Sequence, residues 1–172
     1  SHDINLGQGA SLQTAIAFGL LNNKLKYFVT FDGDGQHSID DVYSMIKIIK
    51  TEKLDIVLGS RFLGRATNAK KSKIFILRLA VAFTNTMTGI KLTDTHNGLR
   101  VFNRYVAENL QLQMPDYAHA TEVIDRISEK KFKYKEVPVT ITYTEYSQSK
   151  GQSMINAVNI IFDVLLNKLI KR

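Results

Sequence analysis

Apolar residues recur at helical spacing over residues 11–22, where Leu12, Ile16 and Leu20 share a face and Ser11 stands in a capping position. The period then changes. Tyr27-Phe-Val-Thr-Phe31 is a short β-branched and aromatic run that predicts a buried strand. Ser38-Ile-Asp-Asp41 opens the next helix: Ser38 caps it, Asp40 and Asp41 favour the positive end of its dipole, and Val42, Met45, Ile46 and Ile49 form its core face. Residues 55–58 predict a second buried strand ending at Gly59. A helix over 72–88, a strand over 98–102, and helices over 104–110 and 120–130 follow. Residues 134–142 predict a strand at a sheet edge, because Pro138 has no N–H to donate to a ladder. Strands separated by helical patterns predict an α/β domain with a mostly parallel sheet flanked by helices. In such sheets ligands bind beyond the carboxyl ends of the strands, so residues just after each strand are the ones to inspect.

Composition narrows the chemistry. At 172 residues the chain has the length of about one domain, and 44% hydrophobic with 23% charged residues suits a soluble globular protein. With no cysteine, disulfides, thiolate zinc sites and thiol nucleophiles are excluded. The four histidines, at 2, 37, 96 and 119, form no His-Glu-x-x-His pair, and no apolar run approaches the ~20 residues of a membrane span. The first residues show no leader-peptide pattern. The net charge of +7 invites an anionic partner, and its distribution matters more than its size. Between Ile56 and Thr93 lie seven basic residues and no acidic one, so this stretch contains the whole excess. That favours an anionic ligand or lipid headgroups over nucleic acid.

The most informative segment is Phe28-Val-Thr-Phe-Asp-Gly-Asp-Gly-Gln-His37, in which a strand delivers Asp32 and Asp34 with a glycine after each. Two such close carboxylates repel one another unless a cation lies between them. With the Gln36 amide they make an oxygen-only set suited to Mg²⁺ or Mn²⁺. An ordinary Asp-Gly turn is the other reading. A calcium-binding EF-hand loop starting at Asp32 is excluded, since His37 and Tyr43 stand where Gly and Glu are required. A haloacid dehalogenase-type phosphatase stays an alternative, although Gln36 departs from its pattern and Asp40-Asp41 falls on a helix. In Gly59-Ser-Arg-Phe-Leu-Gly64, Arg61 is either a phosphate ligand or a surface loop residue. Thr93–Arg100 offers Asp94, His96, Asn97 and Arg100 to line a pocket or to build a turn. Asn5-Leu-Gly-Gln-Gly9, with Gly7 and Gly9 before a helix, is a phosphate-friendly loop but not a Walker motif. Glu122 is either a general base or a first-turn carboxylate.

Taken in order, Asn5-x-Gly7-x-Gly9, Asp32-x-Asp34-Gly-Gln-His37, Gly59-Ser-Arg-Phe62, Asp94-Thr-x-x-Gly98-x-Arg100, Glu136-Val-Pro-Val139 and Tyr146 through Ser149-Lys-Gly151 resemble glycosyltransferase family 2. The branch it most resembles looks like that of the dolichol-phosphate mannose synthases and their bacterial polyprenyl-phosphate or polysaccharide-synthesis relatives. The resemblance implies a nucleotide-diphospho-sugar transferase (GT-A-like) fold and inverting transfer from a UDP- or GDP-sugar to a polyprenyl phosphate or growing saccharide. It implies Asp32 beside the nucleotide together with Gly7 and Gly9. Asp34, with Asp32 and Gln36, would hold Mg²⁺ or Mn²⁺, and Arg61 and Arg100 would face an acceptor phosphate. Glu122 occupies the place of an acidic base, required for a hydroxyl acceptor but not for a phosphate already ionised.

The sequence also departs from that family. An Ile-Pro-x-Tyr-Asn-Glu-like first strand and a second strand with a base-holding Asp are not found before Asn5. Residues 1–151 are therefore expected to form a catalytic domain lacking its N-terminal part, with self-association through exposed sheet edges. A catalytically incompetent fragment or partner subunit is the alternative, followed by a basic nucleic-acid-binding module. In residues 152–172 a broad apolar face, with Asn156, Asn159, Asp163 and Asn167 on a narrow stripe, predicts an amphipathic helix. It would pack on the domain, a partner or a membrane surface, which suits a cytoplasmic protein at the inner face of the membrane.

Overall fold

The computed structural model describes residues 4–67, 71–114 and 119–143. The expected C-terminal helix and the segment Tyr146–Gly151 lie outside them. In chain order the elements are α1 (Gly7–Leu20), β1 (Tyr27–Thr30), α2 (Ile39–Thr51), β2 (Ile56–Thr67), α3 (Lys71–Thr88), β3 (Arg100–Asn103), α4 (Arg104–Asn109), α5 (His119–Lys130) and β4 (Tyr134–Thr142). The strands form one sheet in the order β1-β3-β2-β4. β4 is an edge of that sheet, as Pro138 predicts.

The sheet is mixed, not mostly parallel. β3 inserts between β1 and β2 and runs antiparallel to both, and only β2 and β4 are parallel. Alternation along a strand cannot reveal this, because both faces are buried and direction leaves no periodic trace. Ile56 and Leu58 of β2 and Phe102 of β3 enter one apolar layer with Ile16, Val106, Ile124 and Ile127. The intervening Val57 and Val101 enter the opposite layer with Val42, Met45, Ile49, Val139 and Ile141. Helices α1, α4 and α5 therefore cover one face and α2 the other, each filling the gaps between period-two side chains. Phe28 stacks on Phe102 with centroids 5.9 Å apart, tying β1 to the first layer.

Helix ends follow local chemistry. The Ser38 hydroxyl accepts the Asp40 N–H at 3.2 Å, so its capping role is as read from sequence. Ser11 is not a cap: α1 begins four residues earlier, Asn5 Oδ1 accepts the Gly7 N–H at 2.9 Å, and the Ser11 hydroxyl donates back to the Gly7 carbonyl. Asn has the short acceptor an N-cap region needs, and the intervening glycines had hidden the extra turn. At the other end of α1 the Arg104 guanidinium donates to the carbonyls of Leu20 and Asn22 at 2.9 and 3.0 Å, closing carbonyls the helix leaves open. β2 is longer than expected, running past Gly59 to Thr67 with a register shift between Ser60 and Arg65. Gly64 permits this, since a Cβ there would lie 2.1 Å from the Val139 carbonyl oxygen.

Candidate active site

The antiparallel insertion of β3 creates the site. Arg100, the first residue of β3, is paired with Thr30 at the end of β1 and with Leu58 in β2. Thus the start of β3, the end of β1 and the Leu58–Gly59 part of β2 lie together at one end of the sheet. The loops Phe31–His37 and Thr93–Leu99 converge there on the Gly59–Arg61 segment of β2. The Thr30 hydroxyl donates to the Gly98 carbonyl at 2.6 Å and holds these two loops together.

Asp32 is central. Its carboxylate lies 3.3 Å from His37 Nε2 and accepts from Gln8 Nε2 at 3.4 Å, which brings the N-terminus of α1 against the β1 loop. The hydrogen bond from His37 holds the Asp32 carboxyl below its ordinary pKa, against the opposing cost of burial and with help from the charges of His37, Arg100 and His119. Asp32 also packs against Gly98: a Cβ there would sit 2.1 Å from Asp32 Oδ2. Asp34 bonds within its own turn. Its Oδ1 accepts the Gln36 backbone N–H at 3.1 Å, and Oδ2 takes the Gln36 side-chain amide. Around both acids the loop is open, with no atom within 4 Å of where a side chain would begin on Gly33 or Gly35.

Arg61 and Arg100 differ sharply. Arg61 Nε donates to Asp94 Oδ2 at 2.6 Å, Nη1 to the Tyr143 hydroxyl at 2.8 Å and Nη2 to the His96 carbonyl at 3.3 Å. Burial opposes the Arg61 charge, but Asp94 and Tyr143 outweigh it and raise its pKa. Asp94 is itself fixed by Glu136, which accepts the Thr93 and Asp94 backbone N–H groups at 2.7 and 2.9 Å and the Thr93 hydroxyl at 3.0 Å. Arg100 is only 3% exposed, yet its guanidinium makes no hydrogen bond or ion pair within the described residues. Burial lowers its pKa, opposed by Asp32 and Asp94, and a guanidinium nonetheless stays charged. Burial likewise lowers the His96 pKa to about 4, with the Asp94 charge opposing and Arg61, Arg100 and His119 adding to the shift.

The remaining expected residues sit less directly. Gly7 starts α1 with φ +84°, but Gly9 belongs to the helix rather than to a phosphate loop. A Cβ on Gly9 would lie 2.2 Å from the Met114 carbonyl oxygen, so this glycine serves close packing. Glu122 is 2% exposed in the first turn of α5. Its Oε2 accepts the backbone N–H groups of Gln113 and Met114 at 2.9 and 2.8 Å, and Oε1 lies 3.6 Å from Arg126. It anchors the chain entering α5. Sequence reasoning left three participants without a role: Glu136, Tyr143 and Gly98. Tyr143 was within reach, because the inward period of Val137, Val139 and Ile141 continues to it.

The model of glycosyl transferase family 2 matches residues 1–111. The chain belongs to this family. Among its relatives, an uncharacterized protein of Methanocaldococcus jannaschii is 34% identical over 98% of this chain and 70% of its own length. The UDP-N-acetylglucosamine–dolichyl-phosphate N-acetylglucosaminyltransferase of Methanococcus voltae is 32% identical over 82% of this chain and 58% of that protein. Polyprenol monophosphomannose synthase of Mycolicibacterium smegmatis is 25% identical, with 84% and 56% covered. The fold is that of the nucleotide-sugar transferases: glucosyl-3-phosphoglycerate synthase from Mycobacterium tuberculosis superposes with a TM-score of 0.62 at 14% identity, over 95% of this chain and 54% of that one. The same enzyme with Mn²⁺, UDP-glucose and phosphoglyceric acid gives a TM-score of 0.58. The chain thus spans little more than half the length of several of these relatives. Among the described residues no helix is long and apolar enough to cross a membrane.

Proposed function

We propose that this family 2 chain contributes the donor-diphosphate and acceptor-phosphate sites of a glycosyltransferase that moves a sugar, with inversion, from a UDP- or GDP-sugar to a polyprenyl phosphate. The observation that carries the proposal is the pairing of an open acidic loop with a buried arginine whose guanidinium makes no hydrogen bond or ion pair among the described residues. Asp32 and Asp34 are suited to the donor, and Arg100 offers undirected N–H groups to an anion at the same end of the sheet. Named relatives that act on dolichyl phosphate or polyprenol support the acceptor class.

The donor set fits a hard divalent cation. Its members are two carboxylates and the oxygen of an amide whose NH₂ is already turned to Asp34. Among the described residues no group of three or more His, Asp or Glu side chains is arranged as a metal cage. Asp32, Asp34 and Gln36 would therefore hold Mg²⁺ or Mn²⁺ together with water and diphosphate oxygens, the coordination such ions prefer. When bound, the metal supplies positive charge against the departing diphosphate. The chain's own residues do the rest. Arg100 receives the acceptor phosphate, and Arg61, held on three sides, keeps the Thr93–Leu99 loop in place behind it. A phosphate oxygen is already ionised and attacks the anomeric carbon from the face opposite the diphosphate, so no base is needed. Glu122, with one oxygen accepting two backbone N–H groups, suits an anchoring role better than that of base.

The test is binding of UDP and GDP by calorimetry with and without Mn²⁺. Asp34→Ala is expected to weaken metal-dependent affinity by at least about tenfold, while leaving the fold intact because the residue lies in an open loop. Unchanged affinity in this variant would overturn the assignment.

A further inference from the structure

Helix α3 presents an apolar face to the outside. Its exposed residues are Phe75, Arg78, Leu79, Ala82 and Thr86, spaced as one stripe of a helix, while Val81, Thr84 and Thr88 face the protein. The Thr88 carbonyl accepts from the Ser128 hydroxyl at 2.9 Å, which fixes that inner side on α5. Phe75 is 64% and Leu79 56% exposed, and the stripe contains one charge, Arg78. The Arg78 guanidinium lies over the Phe62 ring at 5.6 Å from its centroid, joining the stripe to β2, where Leu63 is 49% exposed beside exposed Arg65. No acidic residue occurs anywhere from Ile56 to Thr93.

We infer that this face of α3 docks the protein on an anionic lipid bilayer. Charge complementarity selects that occupant. A helix face combining large apolar side chains with Arg78, within a stretch that has seven basic residues and no acidic one from Ile56 to Thr93, matches the boundary between headgroups and acyl chains. Phe62 is bonded in sequence to Arg61, so docking through this face holds the Arg61–Asp94 edge of the site close to the lipid surface. The choice of face goes beyond sugar transfer; its value for a lipid-borne acceptor rests on the proposed function. Vesicle binding and UDP binding fail separately.

The chain has no tryptophan, so Phe75→Trp installs a single reporter. The full chain carrying it is mixed with phosphatidylcholine vesicles, with or without about 30% phosphatidylglycerol, and its emission is recorded alongside cosedimentation. Expected are a blue shift, quenching by brominated lipid with the anionic vesicles only, and loss of binding at high salt. In Phe75→Glu/Leu79→Glu the bound fraction should fall about tenfold or more, with an unchanged circular dichroism spectrum and melting curve. The proposal is overturned if the chain fails to bind the anionic vesicles. It is also overturned if the indole stays unshifted while the protein is bound, because another segment then makes the contact. A third result against it would be a dimer that the double glutamate variant dissociates without changing vesicle binding, since the face then belongs to a second copy.

Discussion

At the scale of single residues, the contact between Gly98 and Asp32 is the most demanding in the site. A methyl group on residue 98 would overlap the Asp32 carboxylate, whose Oδ2 lies 2.1 Å from the position of that Cβ. The side chain can swing aside, but only by leaving His37 and Gln8. Gly98→Ala is therefore expected to alter the site more than the fold. Its melting temperature should stay within a few degrees of the parent, whereas metal-dependent UDP affinity falls by roughly ten- to a hundredfold, as a displacement of about 1 Å commonly costs. Calorimetry on the parent and variant checks both; a variant that melts early and still binds UDP normally would reverse the assignment of this glycine. The requirement could not be read from sequence. A glycine after Asn97 reads as a turn residue, and its φ is not among the positive values found at Gly7, Gly35 and Gly89.

At the scale of elements, the strands and helices were legible because each signal was local. Ser38 with Asp40 and Asp41 marks the start of α2, and Pro138 marks an edge strand. What escaped depends on partners distant in sequence. The insertion of β3 between β1 and β2 is a long-range choice, and it alone brings Arg100 opposite Thr30. The Asp32 loop and Arg61 could be found from strand ends, whereas the role of Glu136 could not. An acid on the polar side of an edge strand reads as a solubility residue, yet Glu136 receives three hydrogen bonds from Thr93 and Asp94. β4 thereby sets the position of Asp94, and Asp94 that of Arg61. Removing the carboxylate in Glu136→Ala strands two backbone donors, at a cost of about 2 kcal/mol, or roughly 4–8 °C in a domain of this size. Glu136→Gln retains one good acceptor and should recover about half of that loss. Thermal unfolding of the two variants measures the difference. In addition, the Arg61 Nε–H signal in nitrogen-edited NMR should lose its exchange protection in Glu136→Ala, an effect confined to this relay. Equal melting of parent and Glu136→Ala would show that the loop holds itself.

For the whole molecule, the convergence of two loops and β2 at one end of the sheet places a histidine where it is not readily charged. His96 is part-buried, and burial lowers its pKa to about 4, with the Arg61 and Arg100 charges adding to the shift although Asp94 favours the cation. An unfolded chain has no such neighbours, and its histidine titrates near 6.5. Between these values the unfolded state binds more protons than the folded one, so stability falls as pH drops from about 6.5 to about 4. Above that window His96 is neutral in both states and adds no slope. The full loss across the window is on the order of 3 kcal/mol. Asp32 acts in the same direction at lower pH: its carboxyl is held below the ordinary value by His37, so its contribution is present above about pH 3.9 and disappears as pH falls further. The two effects therefore separate along the pH axis, His96 first. Urea unfolding at pH 7 and pH 4.5 should give a marked drop in stability for the parent. His96→Gln, neutral at every pH, should flatten that drop while leaving the steeper loss below pH 4 in place. If the variant retains the parent's slope between pH 6.5 and 4, the protons are being taken up elsewhere and the loop around His96 is wetter than its packing indicates.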